Sequence, residues 1–206
     1  MLHPHTELRF INHKIGYGVV ATQLIPRGAI TWARDDLDQV FPAAQVTDMT
    51  PLYRDLLAKY AFVDAKGDFV LCWDLARYMN HSCDPSCMGT GYDFELAVRD
   101  IQPGEELTAD YGSLNLEYDF TCLCGSAKCR KVLRRGDFLK YADSWDHLIA
   151  GSFRLISTVP QPLWPFVKKK DAVQAALMGR TPIVSCRENH FGVPVLTALA
   201  STSASS

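Results

Sequence analysis

The sequence predicts a mainly β chain with helical insertions, an α+β fold, on three observations. Short apolar runs broken by glycine and proline fill residues 7–32, an isolated stretch near residue 50 carries helical spacing, and from Asp137 the apolar period lengthens to that of a helix. Leu8–Ile11, Gly18–Ala21 and Ile25–Ile30 are expected strands joined by tight turns. The pattern Ala21-x-x-Leu24-Ile25-x-x-Gly28 returns as Ala97-x-x-Asp100-Ile101-x-x-Gly104, which suggests two similar strand-turn-strand units. Between them Thr50 and Pro51 form an N-cap and first-turn pair, followed by Leu52, Leu56, Leu57 and Tyr60 on one helical face. Phe69–Trp73 and Phe94–Val98 return to strand character. Phe138, Tyr141, Trp145, Leu148 and Ile149 make a helical stripe that Gly151 is expected to stop. Val159–Pro165 holds too much proline for regular structure, Asp171–Gly179 suits a short helix, and the polar tail after Leu199 is expected to be disordered.

At 206 residues, 48% hydrophobic and 21% charged, the chain is long enough for one substantial core with an appended segment. No apolar run approaches the roughly 20 residues of a membrane span, so no membrane partner is expected. A formal charge of −2 supplies no general basic field, which argues against direct binding of nucleic acid. Seven cysteines, an odd number behind an N-terminus without a secretory pattern, read as reduced thiols and an intracellular, cytoplasmic location, with action in a nucleus or a host nucleus left open.

Four of those cysteines carry the most information. Cys122, Cys124 and Cys129 form a C-x-C-x4-C cluster, the spacing of three thiolates of a tetrahedral zinc (Zn2+) site that needs a fourth ligand from elsewhere. Cys83, in Asn80-His81-Ser82-Cys83, is the best candidate, and it would tie the cysteine-rich segment onto that loop. A redox switch is the alternative reading. Cys72, Cys87 and Cys186 lack such company and read as small buried residues.

The Asn80-His81 loop, the stretch Glu105-Glu106-Leu107-Thr108-Ala109-Asp110-Tyr111-Gly112 and Gly16-Tyr17-Gly18, closed by the cysteine cluster, together resemble the SET-domain protein lysine methyltransferases with a post-SET zinc motif. Among these the likeness is to small stand-alone members of the bacterial type. The resemblance covers roughly residues 5 to 135. It implies a SET fold of small β-clip-like sheets with a threaded active-site segment. The implied layout is a SET domain over 5–118, a post-SET zinc-binding segment over 119–136, a helical extension over 137–199 and a tail over 200–206.

The implied activity is transfer of a methyl group from S-adenosylmethionine to the ε-amine of a lysine in a protein substrate, histone or non-histone, leaving S-adenosylhomocysteine. The resemblance makes Tyr111 the catalytic-site tyrosine, acting by position and electrostatics, since a phenol of pKa about 10 is a poor base at neutral pH. It makes Asn80 and His81 the holders of the cofactor, with Gly16, Tyr17 and Gly18 approaching it by backbone and Tyr60 lining the cofactor and lysine site. The competing readings are structural: a core tyrosine at 111, a satisfied core histidine at 81, and packing at a helix end for Tyr60. Three departures from the family stand out. Ala109 replaces a frequent aromatic two residues before Tyr111, Val132 replaces an aromatic after the last cysteine, and Ser86 replaces a frequent Asn. The first two enlarge the site. The rival functional reading is a catalytically silent SET-like module whose zinc and groove bind a peptide or protein. Arg130-Lys131 and Arg134-Arg135 read as hydrated surface pairs.

Overall fold

The computed structural model describes residues 1–192; the expected tail at 200–206 and the end of the extension lie outside the described residues. The elements run β1 (Thr6–Asn12), β2 (Gly16–Ala21), β3 (Ile30–Ala33), β4 (Gln39–Phe41), α1 (Ala43–Thr47), α2 (Pro51–Tyr60), β5 (Ala61–Val63), β6 (Phe69–Leu71), β7 (Asn80–His81), β8 (Cys87–Gly89), β9 (Phe94–Ala97), β10 (Thr108–Ala109), β11 (Phe120–Thr121), β12 (Val132–Leu133), α3 (Asp137–Phe153) and α4 (Lys170–Leu177). The fold is α+β, with the strands divided among small sheets: β1-β2, β3-β9-β8, β4-β6-β5, the parallel pair β7-β10, and β11-β12.

The repeated pattern in the sequence becomes a reciprocal arrangement. Ile25 and Ile101 exchange backbone hydrogen bonds at 3.0 and 2.9 Å, while Gly28 donates to the Ala97 carbonyl (2.9 Å) and Gly104 to that of Ala21 (2.7 Å). Both glycines sit at positive φ, 89° and 84°, a conformation that glycine adopts without a Cβ penalty. The expected strand over Ile25–Ile30 is therefore a turn that leads into β3, because its backbone groups serve the facing turn instead of a ladder.

Around this pair lies one core cluster of Val19, Ala21, Ile25, Ala29, Trp32, Ile101, Leu107 and Ala109. A second joins Ile30, Phe94 and Leu96 of the central sheet to Phe153, Ile156 and Val173 of the C-terminal segment. The segment after residue 137 is thus packed onto the sheet through buried apolar side chains, each worth roughly 1.5–3 kcal/mol of transfer free energy.

Two helical expectations are corrected. α3 runs through Gly151 to Phe153, and the missing side chain at 151 leaves room for the Arg27 guanidinium, whose Nε donates to Ser152 Oγ at 2.9 Å. Its buried face is Phe138, Ala142, Trp145, Ile149 and Phe153, with Leu148 left at the surface. On α2 only Leu57 is buried, against Val46, Val63 and Phe69, and Leu52 and Leu56 are exposed. A three-stranded sheet of three-residue strands is too narrow to cover a full helical stripe.

Candidate functional site

β7 and β10 place the two polar motifs side by side, with Asn80 opposite Thr108 and His81 opposite Ala109. Ser86 braces the pair: its Oγ accepts from Thr108 N at 2.9 Å. Asn80 Nδ2 donates to the Tyr17 carbonyl (3.0 Å) and to Glu106 Oε1 (2.6 Å). Gly18 permits this approach, because a methyl group there would lie 2.9 Å from Asn80 Nδ2. Gly16, Tyr17, Gly18 and Asn80, which the sequence nominated separately, are therefore neighbours, with Asn80 bonded to the Gly16–Gly18 loop and Gly16 in the left-handed region at φ 85°.

Tyr111 opens a 3-10 turn directly after β10, and Asp110 caps that turn by accepting from Gly112 N at 3.0 Å. The Tyr111 hydroxyl donates to the Met79 carbonyl at 2.7 Å, and its backbone N donates to His81 Nδ1 at 3.1 Å. Burial, with the nearby charges of Glu106 and Glu95, pushes the phenol up to about 12. Burial lowers His81, which is neutral at pH 7. Since Nδ1 accepts, the imidazole proton resides on Nε2, which faces Cys83 Sγ at 3.2 Å.

A cleft of about 1320 Å³ is lined by Tyr111 together with Tyr60, Met79, Glu95, Ala109 and Phe120. Tyr60 stands at the end of α2 with its ring 5.6 Å from that of Tyr78. Asn80, His81 and the Gly16–Gly18 loop do not line this space; their link to Tyr111 is the hydrogen bond from its backbone N to His81.

The cysteine cluster lies below His81. Cys83 Sγ is 3.8 Å from Cys122 Sγ, and Cys129 Sγ is 3.6 Å from Cys122 Sγ. His81, Cys83, Cys122 and Cys124 have ligand atoms within 4.8 Å of one another. Zinc–thiolate bonds of about 2.3 Å at tetrahedral angles set sulfurs about 3.8 Å apart, so the donor set fits such an ion. Burial raises Cys83 and Cys122, whereas hydrogen bonds from backbone and from Cys122 and Cys129 outweigh burial at Cys124 and hold it near 7. Cys72, Cys87 and Cys186 are buried apart from this cluster, all with raised thiol pKa.

One group central to the site escaped the sequence reading. Buried Asp110 accepts from Arg130 Nη2 and, at 3.2 Å, from Trp145 Nε1. Arg130 also faces Asp137 at 3.6 Å and lies over the Tyr141 ring. Arg130 is thus no hydrated surface residue; it joins the cysteine segment and α3 to the residue before Tyr111. The available signal was two acidic residues, Asp110 and Asp137, each next to an aromatic expected to be buried.

Comparison with known proteins bears on the same residues. The SET domain family matches residues 16–112. Histone-lysine N-methyltransferase Set2 of Drosophila melanogaster is 31% identical over 134 residues, 59% of this chain and 6% of that protein. The probable histone-lysine N-methyltransferase set-23 of Caenorhabditis elegans is 40% identical over 82 residues, 35% of this chain and 32% of that one. The chain therefore spans only a part of the length of these relatives. The crystal structure of the methyltransferase domain of human histone-lysine N-methyltransferase SETMAR aligns at a TM-score of 0.47 and 22% identity, covering 64% of this chain and 58% of that one. The family match begins in the loop whose Tyr17 carbonyl Asn80 holds and ends in the turn that carries Tyr111, so residues 16–112 are the part of the chain that matches the SET domain.

Proposed function

We propose that this chain is a protein-lysine N-methyltransferase that uses S-adenosylmethionine as methyl donor. The observation that carries the reading is the position of Tyr111, which donates from its backbone N to His81 beside Asn80 and the Gly16–Gly18 loop and lines a cleft with Tyr60, Met79, Ala109 and Phe120. The relatives named as histone-lysine N-methyltransferases support the same chemistry. The donor supplies an electrophilic methyl group beside a positive sulfur; the protein supplies alignment and the exclusion of water.

In this reading Asn80, His81 and the backbone of Gly16, Tyr17 and Gly18 hold the donor, and Tyr60 with Tyr111 lines the passage for the lysine side chain. Tyr111 stays protonated, since its pKa is raised to about 12 and its hydroxyl hydrogen is given to Met79. Its oxygen lone pairs remain to accept from the amine or to support the positive methyl. It acts by orientation, not as a base. Desolvation in an aromatic passage favours the neutral amine that attacks.

The domain limits are read as SET over 5–118, zinc segment over 119–136 and extension from 137. Zinc would be held by Cys83, Cys122, Cys124 and Cys129. His81 is the less suitable ligand because its Nδ1 already accepts from Tyr111 N, which puts the proton on the nitrogen facing Cys83. These thiolates require a reducing, intracellular setting. The test is incubation of the purified chain with labelled S-adenosylmethionine and a native lysate, with mass-spectrometric mapping of labelled sites. Label on protein lysines that vanishes in Tyr111→Ala is expected; cofactor binding without any transfer would favour a silent peptide-binding module.

A further inference from the structure

Glu95 stands apart from every role given above. It occupies the central strand β9, whose alternation sends Phe94 and Leu96 into the cluster beneath the C-terminal segment. Glu95 and Ala97 therefore take the opposite face, where Ala97 packs with Trp32, Cys87, Met79 and Ala109. On that face the Glu95 carboxylate borders the cleft shared by Tyr111, Tyr60 and Ala109. Its Oε2 is buried and has no hydrogen-bond partner.

An unpaired buried carboxylate costs several kcal/mol and does not persist in a core without a compensating group. Among the described residues none compensates it. Of the cleft cations, Arg34 pairs with Asp64, Lys168 with Asp36 and Lys169 with Asp93, Lys59 lies over Tyr60 and Arg77 over Tyr78, and Lys66 makes no ion pair with Glu95. Trp32, directly across the ladder, also has a buried Nε1 without a partner, so the indole does not serve the carboxylate. Burial holds the carboxyl at about 7, close to the point where an arriving cation decides its ionisation.

We propose that Glu95 is a specificity-determining residue whose carboxylate receives the ammonium group of the incoming methyl-accepting side chain in the cleft it shares with Tyr111 and Ala109. The proposal rests on the lysine methyltransferase reading. A carboxylate there selects a primary alkylammonium over neutral side chains of equal length as it enters, before desolvation in the aromatic passage favours the neutral amine. Alanine at 109 presents only a methyl group to the cleft that Glu95 also lines. Neither the residues read as holding the donor nor the cysteine cluster takes part, so donor binding and metal content stand apart from this role.

The test uses the full chain with carboxyl-13C glutamate, the Glu95 resonance being identified by its loss in Glu95→Gln. Titration with n-butylammonium is expected to shift that resonance, and 1-butanol at equal concentration is not. In methyl transfer to the acceptor protein found in the lysate, Glu95→Gln is expected to raise KM at least about tenfold, the loss of one charge-assisted hydrogen bond, with donor affinity within twofold of wild type. A Glu95 resonance indifferent to the ammonium, as for a carboxyl that holds only water, overturns the proposal. So does an unchanged KM in Glu95→Gln. A chain that methylates nothing defeats the proposed activity, and the ammonium titration then decides the role of Glu95 by itself.

Discussion

Arg130 and Asp110 form a buried ion pair one residue before Tyr111, and Trp145 closes it from α3 with an indole N–H at 3.2 Å. The tyrosine turn is thereby held by two segments that follow it in sequence. Arg130→Ala leaves Asp110 and Asp137 buried without their shared cation and should cost roughly 3 kcal/mol or more in urea denaturation. Trp145→Phe keeps the ring and removes one donor, so a smaller loss of about 1 kcal/mol is expected. Equal losses in the two variants would show that the pair contributes little.

Metal removal should act on the same turn. Protein prepared without chelator is expected to carry one zinc by elemental analysis, and Cys83→Ser with Cys124→Ser to carry none. Since thiolate binding and local folding are linked, donor affinity should fall together with zinc content. Full metal in the double variant would displace the ligand assignment.

Tyr111→Phe should bind the donor as wild type does, by calorimetry, and transfer methyl groups at least about tenfold more slowly, because one oriented hydroxyl is lost and the ring is kept. With the phenol near 12, the wild-type rate should show no inflection from Tyr111 ionisation between pH 7 and 10. Equal rates for Tyr111→Phe and wild type would remove this tyrosine from the reaction.

Glu95 predicts a pH-dependent stability independent of any substrate. Its carboxyl titrates near 4.5 in the unfolded chain and about 7 in the folded one, so the folded state binds more protons between those values. Stability therefore falls as pH rises through that window, and the loss is complete above it. Glu95→Gln should match wild type near pH 4 and exceed it at pH 8, by at most roughly 3 kcal/mol. A constant difference across the range would place the ionisation elsewhere.

Ala109 is buried at the edge of the cleft and presents no hydroxyl or ring to the amine. A mono- or dimethylated amine has room to turn back into line, so products beyond monomethyl-lysine are expected, and Ala109→Tyr should stall earlier in a mass-spectrometric time course. A wild type that stops at one methyl under excess donor would refute this.

Much of the site was legible because its chemistry is written in contiguous motifs. Asn80-His81, the turn at Tyr111 and the cysteine spacing announce themselves by residue type, and β7-β10 pairing brings the first two together. The Asp110–Arg130–Asp137 network was not legible, since an arginine looks the same in sequence whether hydrated or buried between carboxylates. Glu95 was read as part of an ordinary strand, because alternation tells which residues share a face but not that one face looks into a cleft. The breadth of the α2 contact depended on how many residues its partner strands contribute, a tertiary quantity.

The reciprocal turns at Gly28 and Gly104 have a bearing on how the chain is divisible. Each glycine N–H is satisfied by a carbonyl at the start of the other unit, so neither half completes its own backbone. Cleavage in the exposed stretch of α2, between the two units, would yield fragments that are each deficient alone and mutually templating when mixed. The SET domain is in this sense an obligate internal dimer, joined by a tether on which the pairing itself does not depend.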